Sequence, residues 1–325
     1  MTDPTRSGPR AEDQLAEALS DLRRAIRARL PLGGDAPGDG TGERSIDWFA
    51  LFDELRARLN RFGMDERTGE VDEFGMDELA VRRAIPLLEF LRTRYWRVEV
   101  AGIEEIPSDG PVLFVANRSG LLPWDGLMLA HLVARADPRG VRPRFLVADW
   151  LITLPFVQPY LARLGGVRAC RENAERLLRA GRSVVAFPEG AKGATKVFRE
   201  RYRVQRFGRG GVVRLAIEVG VPVVPVSVIG AEEVHPILFK LESAARGVGL
   251  PFLPVTPTFP WLGPLGALPL PSRWSVRFGP AMDTEAFGRD AAHDELLISR
   301  LTEELRRSIQ TMLDDDLRVR ESTFK

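Results

Sequence analysis

The chain has 325 residues, room for one large domain or two small ones. Hydrophobic residues make up 44% and charged residues 28%, the balance of a folded protein rather than a disordered one. Lysine and arginine total 46 against 45 for aspartate and glutamate, so the overall charge carries no nucleic-acid footprint. The single cysteine, Cys170, excludes an intrachain disulfide and suits a reducing compartment. There are three histidines, His131, His235 and His293, and no Cys/His cluster at metal-ligand spacing, so no metal is expected.

Residues 1–12 are polar and rich in Pro and Arg; they read as disordered and lack the apolar segment of a signal peptide. Leu15, Leu19, Leu22, Ile26 and Leu30 recur every three to four positions, which predicts an amphipathic helix over 13–30. Its stripe suits packing against protein; the flanking Arg23, Arg24, Arg27 and Arg29 also suit a membrane surface. Residues 31–44 are a Gly/Pro-rich linker, so 1–44 reads as an arm and linker. A helical segment follows over 45–96, with helices at about 46–62 and 77–95.

From Arg97 strands and helices alternate through 97–325. Strands are expected at 97–100, 112–115, 144–147, 183–187, 221–228 and 274–278, and helices at 125–135, 172–179, 211–219 and 291–313. This order predicts an α/β fold with a central, mostly parallel sheet flanked by helices. Residues 247–272, uncharged with recurring prolines, interrupt it as an extended apolar insertion. Neither that stretch nor 150–162 suits a membrane-crossing helix, although together they offer apolar surface to a bilayer or an acyl chain.

The chemistry is concentrated in four blocks. The apolar run 111–116 drops into Asn117-Arg-Ser-Gly-Leu-Leu-Pro-Trp-Asp125, the way a buried strand delivers a reactive loop. Gly165-Gly-Val-Arg-Ala-Cys-Arg171, Phe187-Pro-Glu-Gly-Ala-Lys192 and Val221-Pro-Val-Val-Pro-Val226 follow. The series resembles the motifs of the glycerol-3-phosphate and lysophospholipid acyltransferase superfamily. The long first loop, with Leu-Pro ahead of its aspartate, is similar to the branch containing mono- and diacylglycerol acyltransferases. The resemblance covers roughly residues 95–285. It implies the superfamily's α/β fold and transfer of an acyl group from acyl-CoA or acyl-carrier protein to a glycerolipid or lysophospholipid hydroxyl, with no cofactor. It also implies a cytoplasmic protein peripheral to the cytoplasmic membrane. Arg171, Glu189, Gly190 and Lys192 then fall at acceptor-binding positions, and Asp125 at a catalytic one.

The first block departs twice: Asp125 follows position 118 after six intervening residues rather than the common four, and Arg118 occupies the superfamily's histidine position. A neutral imidazole takes the acceptor's proton near neutral pH, with the aspartate orienting it. A guanidinium has no lone pair to offer. Arg118 is expected to pair with Asp125 across the loop, and to bind a ligand anion as a secondary role. His131 lies six residues past Asp125, off its helical face, and is a poor replacement base. The chain therefore reads either as an O-acyltransferase using some other base or as an inactive relative that binds lipid or a partner protein. Cys170 reads as a small buried apolar residue. The basic run 194–214, interleaved with aromatics, suits an acceptor-binding or membrane-facing loop, or simply a solvated face.

Overall fold

Strands covered on both faces are written as continuous apolar runs, and each such run from Leu113 onward becomes a short buried strand. The computed structural model describes residues 54, 71–120, 122–137, 142–152, 158–241, 253–259, 261, 266 and 268–320. These belong to one compact unit, residues 47–325. The arm and helix expected over 1–30, the linker 31–44 and all of the 46–62 helix except Glu54 lie outside the described residues.

The strands are β1 (Glu99–Ala101), β2 (Leu113–Ala116), β3 (Arg144–Val147), β4 (Gly166–Arg168), β5 (Val184–Ala186), β6 (Val223–Ile229), β7 (Phe239–Leu241), β8 (Leu253–Val255) and β9 (Ser275–Phe278). Seven form one sheet in the order β1-β9-β6-β2-β5-β3-β4. The five from β6 to β4 run parallel, whereas β9 opposes β6 and carries β1 parallel to itself. The expected mostly parallel sheet is present, with two reversed strands at one side. β7 and β8 form a separate antiparallel pair.

The α-helices among the described residues are α1 (Glu78–Phe90), α2 (Trp124–Ala136), α3 (Asp149–Ile152), α4 (Gln158–Arg163), α5 (Arg171–Arg179), α6 (Gly190–Ala194), α7 (Gly211–Val219) and α8 (Glu295–Val319). Along β2, Phe114 and Ala116 enter the core layer shared with α1 and α2. Leu113 and Val115 enter the opposite layer with α5, α7 and α8. The two-residue period of a strand thus divides one apolar run between two cores.

Several boundaries move for local reasons. The helix expected over 77–95 ends at Phe90 and continues as a wide π turn over Leu91–Tyr95. The last helix starts four residues late, because the Asp294 carboxylate caps it by accepting from the Leu296 and Leu297 amides. β4 and α4 were not anticipated; three residues headed by glycine leave no periodic trace. The 247–272 segment is not one uniform extension: Leu253–Val255 pairs with β7. Its end returns to the core, where Pro269 O accepts from the Tyr95 hydroxyl at 2.7 Å and Leu270 O from Trp96 Nε1 at 3.3 Å. Among the described residues no helix is long and apolar enough to cross a membrane.

The parallel strands deliver the loops after β2, β3, β4 and β5 to one edge of the sheet. In open α/β sheets that carboxyl edge is where ligand sites gather.

Candidate functional site

Asn117 ends β2 and locks it to β6. Its amide donates to Val228 O at 3.0 Å and accepts from Val228 N at 2.8 Å. The next residue is thereby turned inward. Arg118 is 3% exposed, and its Nη1 meets Asp125 Oδ1 at 3.2 Å. The expected ion pair is present. Asp125 sits in the first turn of α2, where the helix dipole favours negative charge. Its oxygens also accept from Ser119 N at 3.0 Å and Gly126 N at 2.8 Å. The Arg118 guanidinium lies 4.9 Å from the Phe187 ring centre, in cation–π range. Its second nitrogen, Nη2, is buried without a hydrogen-bond partner.

His131 faces elsewhere: Nε2 lies 2.7 Å from Glu89 Oε1, which also accepts from Arg135 at 2.8 Å. Burial holds its pKa below the ordinary histidine value despite Glu89. His293 is exposed just before the Asp294 cap.

Behind Arg118 lies a buried ionic cluster. Glu189 Oε1 accepts from the Arg118 backbone amide at 2.7 Å. Glu189 Oε2 accepts from Gln205 N at 2.8 Å and faces Lys196 Nζ at 3.4 Å. Lys196 also reaches Glu232 Oε1 at 2.8 Å, and Glu232 Oε2 accepts from Tyr202 N at 3.0 Å. The close approach depends on Gly193, where a Cβ would come 2.6 Å from Glu189 Cβ and 2.7 Å from Arg118 Cβ. Burial opposes the Lys196 charge, but Glu232 and Glu189 outweigh it and hold its pKa above the ordinary lysine value. Burial pushes Glu232 up to about 7 against the pull of Lys196.

A raised carboxyl pKa means the folded state keeps a proton that the unfolded chain has released. Stability should therefore fall as pH rises from the ordinary glutamate range to about 7, then level off. Glu232→Gln should flatten that slope; urea midpoints across the same pH range check it, and an unchanged slope would remove Glu232 as its source.

Beside the loop opens a cavity of about 640 Å³. Arg118, Arg171 and Gly190 line it; Asp125, Glu189 and Lys192 do not. The cavity enters the layer between sheet and helices, walled by Leu113, Leu146 and Ala186 on one side and by Ala174 and Leu215 on the other. Arg171 is ion-paired with Glu218. Lys192 is exposed on α6. Asp149 also lines the cavity, but Arg168 grips it at 2.9 and 2.8 Å and holds its pKa below the carboxylate range, which makes it a weak base. Cys170 is half-buried on the cavity wall instead of lying in the core as expected.

The basic run divides inside from outside. Arg199, Arg201, Arg203, Arg206 and Arg209 are exposed, while Tyr202, Val204 and Phe207 fill the core beneath α7 and α8. Its interleaving is thus mainly a buried/exposed alternation. Lys196 is an exception among the cations, being buried.

Residues 97–229 match the family model described as Acyltransferase. The chain belongs to the acyltransferase superfamily. An uncharacterized protein of Mycobacterium tuberculosis is 42% identical over 276 residues, covering 83% of this chain and 76% of that protein. A chloroplastic 1-acyl-sn-glycerol-3-phosphate acyltransferase of Brassica napus is 25% identical over 155 residues, 44% of this chain and 40% of its own. The crystal structure of the 1-acyl-sn-glycerophosphate acyltransferase PlsC of Thermotoga maritima aligns with a TM-score of 0.48 at 20% identity, covering 84% of this chain and 92% of that one. In this acyltransferase chain the residues that sequence reasoning missed are Lys196, Gln205 and Glu232. They brace the site from segments far apart in sequence. The nearest available signal was Gly193, a second glycine shortly after the Pro-Glu-Gly block.

Proposed function

We propose that the protein holds an acyl lipid in the cavity on the acyltransferase scaffold, and that its Asn117–Asp125 loop no longer deprotonates an acceptor hydroxyl. The buried Arg118–Asp125 pair carries this reading, because it fills the base position with a group that accepts no proton. On this reading the ligands are those of an active relative, acyl-CoA or acyl-carrier protein as donor and a glycerolipid or lysophospholipid as acceptor, bound without being joined. The name of the Brassica relative supports that acceptor class. Arg171 and Gly190 flank the acceptor at the cavity, with Lys192 outside it, while Glu189 acts by bracing the loop. The apolar cavity favours retained lipid binding over a purely protein-docking role.

The test is acyl transfer from acyl-CoA to lysophosphatidate or monoacylglycerol. Turnover at the level of the enzyme-free control supports the reading. Robust turnover that Asp125→Ala abolishes overturns it and restores the loop as a catalyst.

The membrane side of the proposal rests on β7. Leu238, Phe239 and Leu241 are exposed there. The strand's approach is joined to the basic run, since Phe198 N donates to Ile237 O at 2.8 Å. Apolar side chains beside exposed arginines suit an anionic bilayer. Phe239→Ser/Leu241→Ser should weaken cosedimentation with phosphatidylglycerol vesicles several-fold. Undiminished binding would move the membrane contact elsewhere.

A further inference from the structure

Arg118 leaves one nitrogen unexplained. Nη1 and the backbone amide have partners in Asp125 and Glu189. The face of the guanidinium is covered by Phe187. Nη2 is buried with no acceptor, in a side chain that lines the cavity. A buried donor without an acceptor is costly and calls for an explanation.

The surroundings say what kind of acceptor fits. α5 and α7 both begin at this cavity; the first turn of α5 is taken by the Glu172 carboxylate, whereas that of α7 has neither a side-chain cap nor an acidic residue. The free amides and dipole of α7 make the opening favourable for an anion. Arg209 adds positive charge among the lining residues, where Arg171 is paired with Glu218 and the carboxylate Asp149 with Arg168. Beyond these groups the walls are apolar, so the ligand joins an anionic end to a hydrocarbon chain.

We propose that the cavity binds a fatty acid as its free carboxylate, a small shift of the Arg118 side chain bringing Nη2 to a carboxylate oxygen. The inference rests on the lipid-binding reading above and gives the ligand class. A carboxylate suits the remaining edge of a guanidinium that is already paired on one nitrogen and covered on one face. A phosphate monoester would meet the same donors but brings a second negative charge toward Asp125. Against a thioester, the free acid offers a charged acceptor, which makes the stronger hydrogen bond.

Titration calorimetry at about pH 8 tests this with dodecanoate, dodecanol, dodecanoyl-CoA and dodecanoyl lysophosphatidate. Wild type should bind dodecanoate at least about tenfold more tightly than dodecanol. Arg118→His keeps a donor for Asp125 and should bring the two within about twofold, chiefly by weakening dodecanoate. Arg118→Lys, a second variant in case the first folds poorly, should lose the preference several-fold because an ammonium lacks the planar fork. Equal wild-type affinity for acid and alcohol would overturn the carboxylate assignment and leave the lipid-binding reading standing. Tighter binding of the CoA or lysophosphatidate ligand with the same Arg118 dependence would overturn the free-acid assignment. Binding of none of the four would remove both. A preference unchanged in both variants would take Arg118 out of the site.

Discussion

Glu189→Ala is expected to destabilise the protein by about 3–5 kcal/mol, the range for removing one partner from a buried ionic group. The side chain accepts from two buried backbone amides, those of Arg118 and Gln205, and faces the Lys196 ammonium. Truncation strands both amides and leaves Lys196 with Glu232 as its one nearby carboxylate and the Arg203 carbonyl as its other partner. Nothing nearby collapses into the space without disturbing Gly193, whose missing Cβ lets α6 approach. Glu189→Gln keeps one acceptor oxygen and should cost less, about 1–3 kcal/mol for the donor left unsatisfied. Urea denaturation of the three proteins checks the order. A loss under about 1 kcal/mol in the alanine variant would show that the cluster does not hold the loop.

Glu189 also shows what was legible in the sequence and what was not. The Pro-Glu-Gly block was visible as a motif, and its position after a strand was read correctly. That its carboxylate turns inward, toward the Arg118 amide, was not, because its partners Arg118 and Gln205 lie 71 and 16 residues away. Arg144–Val147 and Gly211–Val219 fall where periodicity put them. The second is bounded by Gly210 and Gly220, both in the left-handed region that stops a helix cleanly. The reversal of β1 and β9 left no mark, since the two-residue alternation of a strand is the same in either direction. Lys196 was misread with the arginines around it as part of an exposed patch. The alternation of Tyr202 and Val204 with Arg201 and Arg203 was a usable two-residue signal that the segment packs on the core. The Arg118–Asp125 pair was readable because both residues share one loop. The orphaned Nη2 depends on Phe187 and the cavity, which only the fold brings together.

Arg118→His should raise acyl transfer about 10²-fold, and at most about 10⁴-fold, above a wild type near background, the range attributed to a positioned general base. The loop needs little rebuilding for this. Ser119 N and Gly126 N hold Asp125 independently of Arg118. Asn117 fixes the preceding backbone to β6, and Glu189 holds the amide of residue 118 itself. An imidazole is shorter than the side chain it replaces and lacks the guanidinium that now reaches Asp125. It has one nitrogen to donate to the carboxylate and another to accept the acceptor's proton. Adding Asp125→Ala should remove the gain, because the ring then loses the group that orients it. In wild type the same Asp125→Ala change should reduce stability rather than rate, since it leaves a buried guanidinium without its counter-ion. The comparison separates the two explanations for an inactive wild type. If the base alone is missing, histidine restores turnover. If Arg118→His loses the dodecanoate preference and still transfers nothing, the scaffold lacks more than its base, and the expected gain is overturned.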